Sequence, residues 1–110
     1  MSEFEKVADV AELPVGSVKA YVVAGRKLAV CHTVRGFFAT DDACPHRGGP
    51  LSEGDILGDE IVCPWHLWSF RLDTGVNPCS LPGNEIRVRT HEVRIEGDAI
   101  LVRLTREEHP

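Results

Sequence analysis

The chain has 110 residues, of which 43% are apolar and 26% charged, a size and composition typical of one globular domain. Its formal net charge of −5 argues against nucleic-acid binding as the main role. No apolar run approaches the roughly 20 residues that a membrane helix needs, and the acidic start MSEFEKVADV lacks the pattern of a signal peptide, so we expect a cytoplasmic protein with reduced thiols.

The first third of the chain mostly has the periodicity of strands. Helix signals are weak, and only VADVAEL, from Val7 to Leu13, could form a turn or two of helix. Two Val-rich segments, 17–23 and 27–34, are separated by Ala24-Gly25-Arg26, which predicts a β-hairpin. GFFAT, at 36–40, predicts one more short strand.

The middle of the chain is rich in proline and glycine, with short strands predicted at EIVC and SFRL. Near the C-terminus, RVRTHEVRI and AILVRL flank Glu96-Gly97-Asp98 and predict a closing hairpin. The pattern predicts an all-β protein, an antiparallel sandwich or barrel. We expect a single domain, with a β-base from residues 1–40 and 84–110 and a loop-rich insertion at 41–83 that a metal centre ties down.

Two compact Cys/His pairs stand in that insertion. They are Cys44-Pro-His46 and Cys63-Pro-Trp-His66, a C-x-H-x16-C-x2-H pattern. Zinc fingers pair Cys with Cys and His with His, whereas each pair here is mixed. Two mixed pairs on two similar loops suit a two-iron centre, in which the cysteines hold one iron and the histidines the other. A mononuclear zinc or iron site at the same four residues remains the alternative.

CPHRGGPL and CPWHLWSF resemble the cluster-binding motifs of Rieske proteins. The chain length, the RLDTG after the second motif and the closing HEVRIEGDAILV also resemble small bacterial Rieske-type ferredoxins. The resemblance implies a Rieske fold with a small cluster-binding subdomain and one 2Fe–2S cluster. It implies Cys44 and Cys63 as thiolate ligands of one iron, and His46 and His66 as imidazole ligands of the other.

The chain departs from the high-potential branch of that family. Gly49 and Trp65 stand where that branch has a disulfide, and Trp68 and Phe70 stand where it has a Ser and a Tyr that donate hydrogen bonds to cluster sulfur. Such hydrogen bonds raise the reduction potential, so without them we expect a potential near the low end of the Rieske range, on the order of −150 mV.

A low-potential Rieske protein of this size implies an electron carrier rather than a complete enzyme. The first hypothesis is a soluble, monomeric carrier that passes single electrons from an NAD(P)H-dependent flavin reductase to a terminal oxygenase of the ring-hydroxylating dioxygenase type. The second is the small Rieske subunit of an assimilatory NAD(P)H nitrite reductase-like enzyme, whose motifs are also similar. No nucleic-acid or membrane partner is expected.

The remaining cysteines and histidines are interpreted as non-ligands: Cys31, Cys79, His32, His91 and His109.

The segment from Asp41 to His66 carries six acidic side chains and one basic, a charge of −5, while the rest of the chain is balanced. This segment is either a set of solvated loops or a negative docking surface for a basic partner.

Overall fold

A computed structural model of the chain describes residues 3–45, 48–65 and 67–105. The strands in these ranges form two antiparallel sheets, one of six strands in the order β1-β9-β8-β4-β3-β2 and one of three in the order β5-β6-β7. None of the described helices is long and apolar enough to span a membrane. The strands are β1 Glu5–Asp9, β2 Val18–Val23, β3 Arg26–Thr33, β4 Gly36–Asp41, β5 Asp55–Leu57, β6 Glu60–Val62, β7 Ser69–Arg71, β8 Thr90–Glu96 and β9 Ala99–Arg103.

The all-β prediction is confirmed, and so is the β2–β3 hairpin. Ala24 and Gly25 both have positive φ, at 51° and 80°, which gives the two-residue turn whose twist matches that of the paired strands. The helical interpretation of Val7–Leu13 is largely wrong. Its first residues belong to β1, which pairs with β9, and only Val10–Glu12 forms a short 3₁₀ turn. The strand wins because β9 offers a free backbone edge to pair with.

Strand β3 is buried on both faces and separates two apolar cores. Its residues alternate, with Leu28 and Val30 in one core and Ala29 and Cys31 in the other. The second of these cores also contains side chains of the middle segment, among them Cys44, Cys63 and Phe70. Residues of both the predicted β-base and the predicted insertion therefore pack in one core. The division of the chain at residues 41 and 83 stays a prediction.

Two 3₁₀ turns and strand β5 complete the architecture. The turn Leu51–Glu53 leads into β5, which was not predicted because it has only three residues between Gly54 and Gly58. β5 pairs with β6, and β6 pairs with β7, so that the chain between Asp55 and Arg71 forms a compact meander. This meander supports the segment that contains Cys63.

His91 belongs to the large sheet and its side chain is buried between two hydrogen-bond partners. Its Nδ1 accepts the Thr105 backbone N–H at 2.9 Å, so its Nε2 carries the proton and donates to Asp41 Oδ1 at 2.8 Å. Arg26 lies 3.4 Å from the same carboxylate oxygen. Burial lowers the pKa of His91, and the Asp41 carboxylate only partly opposes the shift.

This arrangement predicts a loss of stability in mild acid. A histidine whose folded pKa lies below its unfolded value of about 6.5 stabilises the fold fully above that pH. The contribution declines as the pH falls through about 6.5 toward the folded pKa, because only the unfolded chain then takes up the proton. We expect the melting temperature to fall more steeply between pH 7.5 and pH 5.5 in the wild type than in His91→Gln. Parallel curves would contradict the assignment.

Candidate metal centre

Cys44 and Cys63 lie in two loops that share one local structure. In each loop the cysteine N–H donates to the carbonyl five residues later: Cys44 to Gly49 at 2.9 Å, and Cys63 to Trp68 at 2.7 Å. In each, the fourth residue after the cysteine has positive φ, 77° at Gly48 and 59° at Leu67. The two loops therefore share this closing hydrogen bond and the position of the left-handed residue.

Leu67 is the unusual member of this pair of loops. A left-handed backbone conformation costs a residue with a side chain on the order of 1–2 kcal/mol, which is why glycine occupies the equivalent position 48. The Leu67 side chain is 75% exposed, so core packing does not compensate for this strain. This strain could not be predicted from the sequence, since a leucine in such a motif resembles an ordinary apolar residue.

The two cysteine thiols converge in the interior. Cys44 is 2% exposed and Cys63 is fully buried, and they belong to the same apolar core. Burial raises the pKa of Cys63, the Trp65 backbone opposes that shift, and the neighbouring Cys44 thiol adds to it. Two buried thiols this close leave few other partners for each sulfur, and a shared soft metal centre would satisfy both.

The other two cysteines differ from this pair. Burial raises the pKa of Cys31 to about 12, and its Sγ donates to the Phe38 carbonyl at 3.6 Å, so it is a neutral core thiol. Cys79 is exposed. It borders an open cavity of about 320 Å³ beside Leu67 and Trp68. Their placement agrees with the interpretation of both as non-ligands.

Close packing holds the two loops against each other at Gly49. A Cβ on Gly49 would lie 3.0 Å from Cys63 Sγ and 2.8 Å from a carbon of the Trp65 ring. Residues 49 and 65 are the positions at which the disulfide of the high-potential branch was expected to be missing. Here an indole ring packs against a bare backbone instead, and the absence of a side chain at 49 leaves room beside the sulfur.

Gly54 fixes the second loop from the other side. A Cβ at this position would lie 1.8 Å from the Val62 carbonyl oxygen and 3.2 Å from Pro64 Cδ. The end of the Leu51–Glu53 turn therefore packs directly on the strand and the proline that flank Cys63. No residue larger than glycine fits without moving that backbone.

Phe70 and Trp68 were predicted to deprive the centre of two hydroxyl donors. Phe70 is fully buried in the core that contains Cys44 and Cys63, and Trp68 packs against that core. Ser69, which lies between Trp68 and Phe70 in sequence, pairs with Val62 of β6. Because successive strand residues point to opposite faces, its hydroxyl faces away from the side of Phe70.

His46 and His66 lie outside the described residues. Within the ranges 3–45, 48–65 and 67–105, no group of three or more His, Cys, Asp or Glu side chains is arranged to hold a metal. The chemistry of the two thiols nonetheless fits iron or zinc, since buried thiolates are soft, strong donors. An all-β scaffold that carries two similar loops with buried, neighbouring thiols is suited to a metal centre with thiolate ligands.

Comparison with known proteins identifies the class more closely. The Rieske [2Fe-2S] domain family matches residues 3–92, and the chain belongs to this family. The biphenyl dioxygenase ferredoxin subunit of Pseudomonas sp. (strain KKS102) is 35% identical over 104 residues, which cover 94% of each chain.

Solved structures are similar over nearly the whole chain. The ferredoxin of carbazole 1,9a-dioxygenase from Nocardioides aromaticivorans IC177 superposes with a TM-score of 0.78 at 30% identity, covering 90% of this chain and 95% of that one. A chain from the complex of reduced oxygenase and oxidised ferredoxin in carbazole 1,9a-dioxygenase gives a TM-score of 0.76, also at 30% identity, covering 90% and 91%.

These findings confirm the resemblance drawn from the two motifs and the expected cofactor. The cofactor is a Rieske 2Fe–2S cluster, and the alternative of a mononuclear zinc or iron site is set aside. The biphenyl and carbazole dioxygenase relatives named above are ferredoxins, that is, electron carriers rather than catalytic subunits.

Proposed function

We propose that this chain carries single electrons to a terminal oxygenase of the ring-hydroxylating dioxygenase type. Cys44 and Cys63 would hold one iron and His46 and His66 the other. When bound, a Rieske cluster accepts and returns one electron. The observation that carries the proposal is the pair of matched loops with converging, buried thiols in a chain whose similar proteins are dioxygenase ferredoxins.

The partners follow from the same relatives. A solved complex pairs an oxygenase with a ferredoxin similar to this chain, which supports a terminal oxygenase as the electron acceptor. An NAD(P)H-dependent flavin reductase would be the donor. We further propose that the protein acts as a monomer in the cytoplasm, where thiols stay reduced. The carrier role is preferred to that of a nitrite reductase small subunit, because the similar proteins named above are ferredoxins.

Both residues that flank His66 in sequence are exposed apolar side chains. Trp65 is 50% exposed and Leu67 is 75% exposed. A partner that approaches the iron held by His46 and His66 would meet these two side chains, and aromatic residues are enriched at the centres of protein interfaces. We assign the docking face to Trp65, Leu67 and the neighbouring exposed acids Glu53 and Asp55.

The acidic segment is less uniform in space than in sequence. Three of its six acids are paired with bases from outside the segment: Asp41 with Arg26 at 3.4 Å, Asp42 with Lys27 at 3.6 Å, and Asp59 with Arg35 at 2.8 Å. Glu53 and Asp55 are exposed and form no ion pair with any described residue. The sixth acid, Glu60, is half-buried in β6 and lies opposite Arg71 of β7. Any steering of a basic partner would therefore depend mainly on Glu53 and Asp55.

Salt should slow electron delivery to the oxygenase. Exposed charges act mainly on the association rate, and they are screened over about 8 Å at physiological ionic strength. In stopped-flow mixing with a dioxygenase-type oxygenase, we expect the second-order rate to fall with ionic strength while intracomplex transfer changes little. The double variant Glu53→Gln/Asp55→Asn should lose several-fold in rate at low salt and respond less to added salt.

The matched control removes the same amount of negative charge from a surface away from the cysteine loops. Glu5→Gln/Asp98→Asn alters two exposed acids of the β1–β9 side of the large sheet. Its rates should follow the wild type. If the wild type, the test variant and the control all give equal rates at every ionic strength, the acids only solvate the loops, and docking depends on Trp65 and Leu67.

A further inference from the structure

Asp42 joins the two ends of the first ligand loop. Its backbone carbonyl accepts the Leu51 N–H at 2.7 Å, and its side-chain Oδ1 accepts the Ser52 N–H at 2.8 Å. Between these two ends run Cys44, His46 and Gly49. One residue thus closes the loop with both its main chain and its carboxylate.

The same residue attaches the loop to the large sheet. The Asp42 N–H donates to the Lys27 carbonyl of β3 at 3.2 Å, and Lys27 Nζ lies 3.6 Å from Oδ2. The Asp42 side chain is 7% exposed, whereas that of Lys27 is 57% exposed. The Asp42 carboxylate is therefore a nearly buried negative charge, two residues from Cys44 in sequence. Because little water surrounds it, its field is only weakly screened.

From these contacts we infer that Asp42 is a positioning residue that also holds the reduction potential of the centre low, with Lys27 acting in the opposite direction. The inference rests on the proposed function, because it assumes that Cys44 is a ligand. Reduction adds negative charge to the centre, and a nearby buried carboxylate disfavours that charge. The Lys27 ammonium favours it, but less strongly because it is more exposed and more screened.

The electrostatic part is tested by redox titration of holoprotein. Asp42→Asn removes the charge and keeps an oxygen that can accept the Ser52 N–H. We expect it to raise the ratio of reduced to oxidised protein, at fixed ambient potential, by about tenfold, which is 59 mV for a one-electron couple. Lys27→Met should shift the ratio the other way by a smaller factor. The double variant should lie between the two.

Asp98→Asn is the matched control, because it makes the same change at an exposed acid in the turn between β8 and β9, away from both cysteine loops. Its titration curve should stay close to the wild type. An unchanged curve for Asp42→Asn, or a shift equal to that of the control, would overturn the electrostatic role.

The positioning part has its own readout, which does not use electron transfer. In Asp42→Ala the Ser52 N–H loses its acceptor, so its hydrogen exchange and the rate of iron removal by a chelator should both rise several-fold, while Asp42→Asn stays near the wild type. Equal rates in all three proteins would overturn this role. A wild-type protein with no 2Fe–2S spectrum would overturn the proposed function instead, so the two failures are distinguishable.

Discussion

Cys44→Ser and Cys63→Ser are each expected to abolish 2Fe–2S binding and to destabilise the domain. Both thiols face the interior, and an alcohol is a far weaker ligand for iron. The loops around them contain little regular structure, so much of their order should depend on the centre. A loss of about 2 kcal/mol in the free energy of unfolding would lower the melting temperature of a domain of this size by roughly 8–16 °C. Visible absorption and calorimetry measure both effects.

Cys31→Ser is the matched control for this experiment. Its thiol is equally buried and lies in the same core, and its hydrogen-bond acceptor, the Phe38 carbonyl, would remain available to a hydroxyl. This variant should keep the full visible spectrum. If Cys31→Ser bleached the protein while Cys63→Ser did not, the ligand assignment would be wrong.

Phe70→Tyr is expected to raise the reduction potential by an amount on the order of tens of millivolts, because hydrogen bonds to cluster sulfur stabilise the reduced form. The ring is fully buried in the core that holds Cys44 and Cys63, so a new hydroxyl there has few competing acceptors. The restored donor would reproduce one of the two that the high-potential branch contains. Square-wave voltammetry of the folded variant measures the shift.

A hydroxyl added to the other core separates this effect from a general one. Phe37 stacks on His32, with ring centroids 3.8 Å apart, and packs against the core that does not contain the cysteine pair. Phe37→Tyr should leave the potential unchanged. A folded Phe70→Tyr protein with the wild-type potential would mean that this hydroxyl does not reach the sulfur.

Five of the six strands of the large sheet, all except β1, could be predicted because their signals are local. Alternation in Ile100 and Val102 and the turn at Ala24-Gly25 were sufficient for the two hairpins. The segment Val7–Leu13 could not be assigned locally. Its apolar spacing fits either a helical turn or a strand, and only the edge of β9 decides between them.

The sequence singled out two Cys/His motifs as candidate ligands, but it did not indicate the contacts that hold the two loops in place. Spacing alone picked out Cys44 and Cys63, since mixed Cys/His pairs are rare enough to be informative. It gave no sign that Asp42 closes the first loop, because its partners Ser52 and Lys27 lie 10 and 15 residues away. The formal charge of the segment from Asp41 to His66 also overstated its negative surface, because Arg26 and Arg35 pair with its acids only in the folded chain.

Pulsed EPR of the reduced protein labelled with ¹⁵N-histidine tests most directly whether two cysteines hold one iron and two histidines the other. We expect two strongly coupled histidine nitrogens in the wild type, one in His66→Ala or His46→Ala if any centre survives, and two in His91→Gln. A reduced centre with no histidine nitrogen coupling, or one whose coupling disappears in His91→Gln, would contradict this assignment of the ligands.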